Sequence, residues 1–219
     1  METKKLAIPI IILILMVVVS VLTVNCASKH NNAEKTKINY VEYVQLKNAE
    51  LKYWAIKAEL VEAVDNYIHT AAPNSNLSGA ILVDECEKYK VDIKLALAQG
   101  HLESHFGTQG LGAKTNSVWN VGAFSGLTLS EINKKHIFDN PNQSIVPYLE
   151  LLTTKYLTDT KTEENLLENF VSVDGYHYAG SPTYEVILRH KYETIATSTK
   201  IDSLQDVLRY WIVQSNREY

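Results

Sequence analysis

The sequence predicts a mainly α domain behind an apolar N-terminal segment, and three observations carry that reading. Hydrophobic residues recur at threes and fours in successive blocks between Ile38 and Gln214. These blocks do not alternate with strand-like runs as a nucleotide-binding sheet would require. One stretch, residues 107–127, holds Gly107, Gly110, Gly112, Gly122 and Gly126 without any period and reads as a long loop. At 219 residues, with 46% hydrophobic and 21% charged, the chain has material for a core and is neither disordered nor polytopic in composition. Its 21 basic and 25 acidic residues give a net charge of −4, which disfavours a nucleic-acid partner held through phosphates. Two cysteines are too few for a disulfide framework or a four-thiolate zinc site, and neither a metal nor a cofactor is expected.

Residues 1–27 read as a signal sequence or membrane anchor. Lys4 and Lys5 precede an uncharged run from Leu6 to Val24. As a helix this run would extend about 28 Å, close to the thickness of a bilayer core. Cys26, followed by Ala27 and Ser28, stands where a lipoprotein signal places its lipidated cysteine, although Asn25 is unusual before it. Lipidation at Cys26, an uncleaved anchor and clean release are the three alternatives. Each exports the rest of the chain and places it in the cell envelope, outside the cytoplasmic membrane.

Residues 28–37 are polar and form a tether, and 38–72 carry an amphipathic helix whose apolar set includes Leu51, Trp54, Val61, Val64 and Ile68. Pro73 and the run NSNLSG end it and open the main domain, 73–219. A helix is predicted from Ser78 to Lys90, with Cys86 as a small core residue. Asp92 caps the next one, IKLALAQGHLESHF, which must stop by Gly107. Helical spacing returns over 143–156, 163–170, 183–196 and 203–214. The last of these packs back on the domain or offers a face to an envelope partner.

The helix before the loop is almost wholly apolar yet ends in Glu103. Burial raises a carboxyl pKa because the charged form loses hydration, and a glutamic acid still protonated near neutral pH can protonate a glycosidic oxygen. From the helix pattern alone, a salt-bridged or solvated Glu103 is equally admissible.

Ala98–Gln99, Glu103–Ser104, Phe106–Gly107 and the turn Asn116-Ser117-Val118-Trp119-Asn120-Val121-Gly122 together resemble the lysozyme-like glucosaminidase family, which cleaves peptidoglycan in bacterial autolysins and phage lysins. A second block resembles it through Ser144, Tyr148 and Leu151–Leu152, then Gly175, Tyr176, Pro182 and Tyr184, with about two residues more than expected between Tyr176 and Pro182. The best match covers 77–196. The resemblance implies a lysozyme-like α+β domain with a small irregular or β lobe. It implies an endo-β-N-acetylglucosaminidase acting on β-1,4 bonds of peptidoglycan glycan strands, with Glu103 as general acid. It also implies a substrate-binding set of Ser104, Asn116, Trp119, Asn120, Tyr176 and Tyr184, in which Ser104 orients the acid or braces the helix end and Trp119 and Tyr176 line the sugar groove.

A second carboxylate, where the family has one, falls thirty to forty positions after the acid. Glu131 is the candidate taken, with Asp139 beside it in that window. Attack by the substrate's own 2-acetamido group and a lytic transglycosylase reaction need no second carboxylate and remain open. A muramidase of the same superfamily, or an inert glycan-binding scaffold in an envelope assembly, are the rival functions. His101 and His105 share a helix face, but HLESH lacks the metalloprotease spacing and no metal is assigned to them.

Overall fold

The structure is a computed structural model that describes Tyr40 and residues 42–122, 127–159 and 161–216. The apolar N-terminal run, the tether and Cys26 lie outside the described residues. Among the described residues, no helix is long and apolar enough to cross a membrane. The chain divides into two units, residues 1–49 and 50–219. In the first, residues 42–49 are helical. The second holds the domain.

The domain begins with helix α1, residues 50–71, which buries Tyr53, Leu60, Val64 and Ile68. Its N-terminal turn departs from the sequence expectation. Tyr53 points inward, while Leu51 and Trp54 are exposed. The cause is polar: the Tyr53 hydroxyl donates to Glu87 at 2.8 Å, and Lys57 binds both Glu87 and Asp84 at 2.7 Å. Helix α2, Gly79–Tyr89, starts at the expected cap, Ser78. Its first residue must be glycine-sized, because a Cβ on Gly79 would meet Asp65 Oδ1 at 2.6 Å. Cys86 is buried in the core, and burial pushes its thiol pKa up, so it is an inert packing residue.

Helix α3, Ile93–Ser104, is the centre of the domain. Asp92 caps it by accepting from the Lys94 amide at 2.7 Å, and its second oxygen accepts from the Tyr192 hydroxyl at 2.9 Å. Ile93, Leu95, Ala96, Leu97 and Ala98 are all buried, so the helix is covered on every side. The main covering element is α7, Tyr184–Ser198, with α8, Ile201–Gln214, alongside. Between α3 and α7 the chain makes the short helix α4, Gly112–Thr115, then α5, Ile145–Leu151, extended by a wide π turn over Leu152–Tyr156, and α6, Glu163–Glu168. The expected lobe is irregular rather than β: among the described residues there are only two isolated bridges, Thr158–Lys161 and Val171–His177, and no strand. Two 3-10 turns, Lys134–His136 and Pro141–Ser144, organise the lobe instead.

The backbone leaves α3 in an uncommon way. His105, Phe106 and Gly107 are left-handed in succession, with φ of 52°, 55° and 78°. Two of the three carry side chains that disfavour that conformation, so the surroundings must hold it. The Phe106 amide donates back to Gly100 O at 3.0 Å, the Gly107 amide donates to Ser104 Oγ at 2.7 Å, and Ser75 Oγ donates to Phe106 O at 2.7 Å. The turn brings α4 against Ser104 so closely that a Cβ on Gly112 would collide with the Ser104 Cβ. Gly112→Ala should therefore destabilise the protein by about 1–3 kcal/mol through overpacking. Urea denaturation measures this; an unchanged midpoint would show that α4 does not sit against the end of α3.

Candidate active site

Glu103 occupies the last turn of α3, where the helix reaches the surface, and is half-buried. Two elements distant in sequence supply donors to its carboxylate. Tyr184, the first residue of α7, donates its hydroxyl to Oε1 at 2.8 Å. Asn120 donates Nδ2 to Oε2 at 3.2 Å and to the Glu103 backbone carbonyl at 2.8 Å. Asn120 reaches that point because it is itself left-handed, with φ of 52°, at the tight turn before Gly122. Its Oδ1 is buried and meets no donor among the described residues.

Burial pushes the Glu103 pKa above that of an ordinary glutamate, and the hydrogen bonds from Tyr184 and Asn120 pull against it. No ion pair reaches the carboxyl among the described residues. The site is therefore an acid raised by desolvation and moderated by neutral donors. Burial, and next the charge of Glu103, push the Tyr184 and Tyr178 hydroxyl pKa values well up, so both remain neutral hydroxyls.

Of the residues that sequence reasoning placed at the site, the structure brings Asn120 and Tyr184 to Glu103 and takes others away. Ser104 is buried; its hydroxyl donates to Val118 O at 2.6 Å and accepts from the Gly107 amide, so it braces the helix end and is shut off from a substrate. Trp119 is fully buried, stacked on Tyr148 with ring centroids 4.4 Å apart, and its indole N–H donates to Ala96 O at 2.8 Å. Both faces and the polar edge of Trp119 are used by the core, which corrects the expectation that it lines a sugar groove. Asn116 donates to Phe138 O at 2.8 Å and ties the loop to the lobe. Tyr176 is 72% exposed on the turn closed by the Val171–His177 bridge, and makes no recorded contact with the acid.

Glu131 is also exposed. Its Oε2 accepts from the amide and hydroxyl of Thr128 at 2.7 and 2.6 Å, and these bonds hold its pKa below the usual carboxylate value. Asp139 is exposed, with its amide donating to Gln143 Oε1 at 3.0 Å, and Asn140 shapes the next turn by accepting from the Asn142 amide. The two histidines are occupied in fixing α3 to α1. His101 Nδ1 lies 3.1 Å from the Tyr67 hydroxyl, and His105 Nε2 lies 2.6 Å from Ala71 O. Burial lowers the His101 pKa to about 4, with the Lys191 and His105 charges adding to the effect, so that ring is neutral near pH 7.

Sequence reasoning missed Tyr178. Its hydroxyl donates to Trp119 O at 2.8 Å, and its ring stacks on Tyr184 at 6.0 Å. It, rather than Tyr176, is the tyrosine packed against Tyr184. Gln99 and Tyr148 were noticed as parts of a motif but given no role. A glutamine inside an otherwise apolar helix was the available signal, since a buried amide needs partners.

Residues 79–197 match the Glucosaminidase family, described as mannosyl-glycoprotein endo-beta-N-acetylglucosaminidase. No curated protein and no solved structure is matched by the chain. The matched span runs from the first residue of α2 into the last turn of α7 and contains Glu103, Asn120 and Tyr184. With more than half of its length in that match and a raised carboxyl at its centre, the chain belongs to the glucosaminidase family of glycoside hydrolases.

Proposed function

We propose that this protein is a peptidoglycan hydrolase, an endo-β-N-acetylglucosaminidase that cuts the β-1,4 bonds of wall glycan strands with Glu103 as general acid. The observation that carries the reading is the carboxyl of Glu103, half-buried, raised by desolvation and held by neutral donors alone. A group so placed keeps its proton closer to neutral pH and delivers it to the departing sugar oxygen. The hydrogen bonds of Glu131 run to its own turn, which supports a reaction with one protein acid, the substrate's acetamido group serving at the anomeric carbon. The N-terminal apolar run and Cys26 support an exported, membrane-held enzyme. Radiolabelled lipid on the wild-type protein that is lost in Cys26→Ala would establish the lipid route, and a wild-type protein that stays in the membrane unlabelled would establish the anchor.

Glu103→Gln should lower wall cleavage by about 10²–10⁴-fold. Both neighbours of the carboxyl are donors, so the new amide loses one hydrogen bond and the fold should weaken by only about 1 kcal/mol. Glu131→Gln should cost little. Zymography on purified walls measures both, and released chains should carry reducing N-acetylglucosamine. More than about a tenth of activity in Glu103→Gln would move the acid elsewhere. Termini of muramic or anhydromuramic acid alone would replace the glucosaminidase reading with a muramidase or transglycosylase one, and no clearing at all would favour a scaffold.

A stability measurement tests the raised carboxyl without substrate. Because the Glu103 pKa is raised in the fold, the native state holds its proton over a pH range where the unfolded chain has lost it. Native stability therefore falls as pH rises through that range. Glu103→Gln removes this dependence, so the Tm of the variant relative to wild type should climb between about pH 4 and about pH 7. A constant difference would show that Glu103 titrates as an exposed glutamate.

A further inference from the structure

Behind Glu103, away from solvent, lie two polar side chains that the proposed chemistry does not use. Gln99 and Tyr148 are fully buried. We infer that they are positioning residues: together they fix the direction of the hydrogen bond from Tyr184 to Glu103, so that the acid's proton cannot be turned inward onto the tyrosine and is kept on the side open to solvent. The inference rests on the reading of Glu103 as the acid.

The directions follow from a chain of donors. The Tyr148 hydroxyl donates to Gln99 Oε1 at 2.6 Å. That sets the amide, so Gln99 Nε2 faces Tyr184 and donates to its hydroxyl oxygen at 3.0 Å. With its oxygen accepting, Tyr184 directs its own proton to Glu103 Oε1. The reverse direction is blocked at the far end. A protonated Glu103 donating to Tyr184 would make Tyr184 donate to Gln99, whose amide would turn and donate to Tyr148. The Tyr148 hydroxyl proton would then have no acceptor among the described residues, in a site closed to water. A buried donor without a partner is what native structures avoid. On the other oxygen, Asn120 is equally fixed, because turning its amide would set Oδ1 against the Glu103 backbone carbonyl. Both donors therefore face the carboxylate one way only.

The titratable groups that feel the Glu103 charge are Tyr184, Tyr178 and Tyr148, all neutral hydroxyls, and no charged side chain of another element pairs with it among the described residues. Removing the Tyr148 hydroxyl lets the Gln99 amide turn and accept from Tyr184, whose oxygen can then accept the acid's proton. Removing the Gln99 amide takes away the donor that polarises Tyr184 toward the carboxylate. Either change stabilises the protonated form of Glu103, and the first misdirects its proton.

The test uses protein labelled with carboxyl-¹³C glutamate, in which the Glu103 resonance is identified by its loss in Glu103→Gln. In Gln99→Met the titration midpoint of that resonance should rise by about one pH unit, as expected for a lost constraint on a hydrogen bond to a charge. Tyr148→Phe, which removes one oxygen and keeps the ring stacked on Trp119, should move it the same way. Wall cleavage by either variant should fall about tenfold. In a Tyr184→Phe background, Gln99→Met should add no further shift, because the effect passes through Tyr184. A Tyr148→Phe protein that folds and titrates as wild type would overturn the inference, as would an undiminished Gln99→Met shift in the Tyr184→Phe background. The resonance is read without substrate, so the predicted shifts in a protein that clears no wall would refute the hydrolase reading and uphold this one.

Discussion

The hydrogen bond between Tyr184 and Glu103 is the contact that the rest of the domain is arranged to make. A carboxyl at the end of a helix covered on every side loses much of its hydration, and an ionised group in that position is costly unless something replaces the water. Here the replacement comes from two neutral donors on segments that follow Glu103 by 17 and 81 residues. Each donor must be delivered by the fold. The packing of α7 on α3 delivers Tyr184, and the left-handed turn beyond Ser104 allows the chain to come back with Asn120.

Seen from that contact, the polar residues of the core divide by task. Ser104, Ser75 and Ser144 hold backbone that would not otherwise stay in place. Ser144 accepts from the Val118 amide at 3.1 Å and donates to Pro141 O at 2.7 Å, which seats the Asn120 loop on the start of α5. Trp119 and Tyr148 stack beneath the loop and fill the volume between α3 and α5. Tyr178 reaches over to Trp119 O and closes the far side. The aromatic residues near the acid, Tyr184 included, are in this way mostly a buried wall, and Glu103 and Asn120 are the half-buried polar side chains beside it.

Helix positions were legible in the sequence because they depend on local signals. Ser78 and Asp92 cap where their side chains can accept from the following amides, and the unbroken apolar run of α3 marks a helix without a solvent face. The helix pattern placed Glu103 at the end of that run but left its surroundings open, and it was the motif resemblance that singled it out. Side-chain direction was less so. Trp119 and Ser104 sit within a motif that contains the acid, yet whether a motif residue faces the cleft or the core depends on partners tens of residues away, Tyr148 and Val118 O. Trp54 and Tyr53 were exchanged because one hydrogen bond to Glu87 outweighs hydropathy. Tyr176 was chosen because it follows Gly175 as a glycine–tyrosine pair, and only the three-dimensional packing shows that Tyr178 is the one stacked on Tyr184.

The claim at the centre of this account is that the carboxyl of Glu103 delivers a proton to the glycosidic oxygen. A crystal structure of the Glu103→Gln protein with a bound peptidoglycan tetrasaccharide tests it most directly. The account predicts a glycosidic oxygen within about 2.6–3.2 Å of the side-chain amide of residue 103, on the side away from Tyr184. A saccharide seated with every glycosidic oxygen out of hydrogen-bonding reach of that side chain would contradict it.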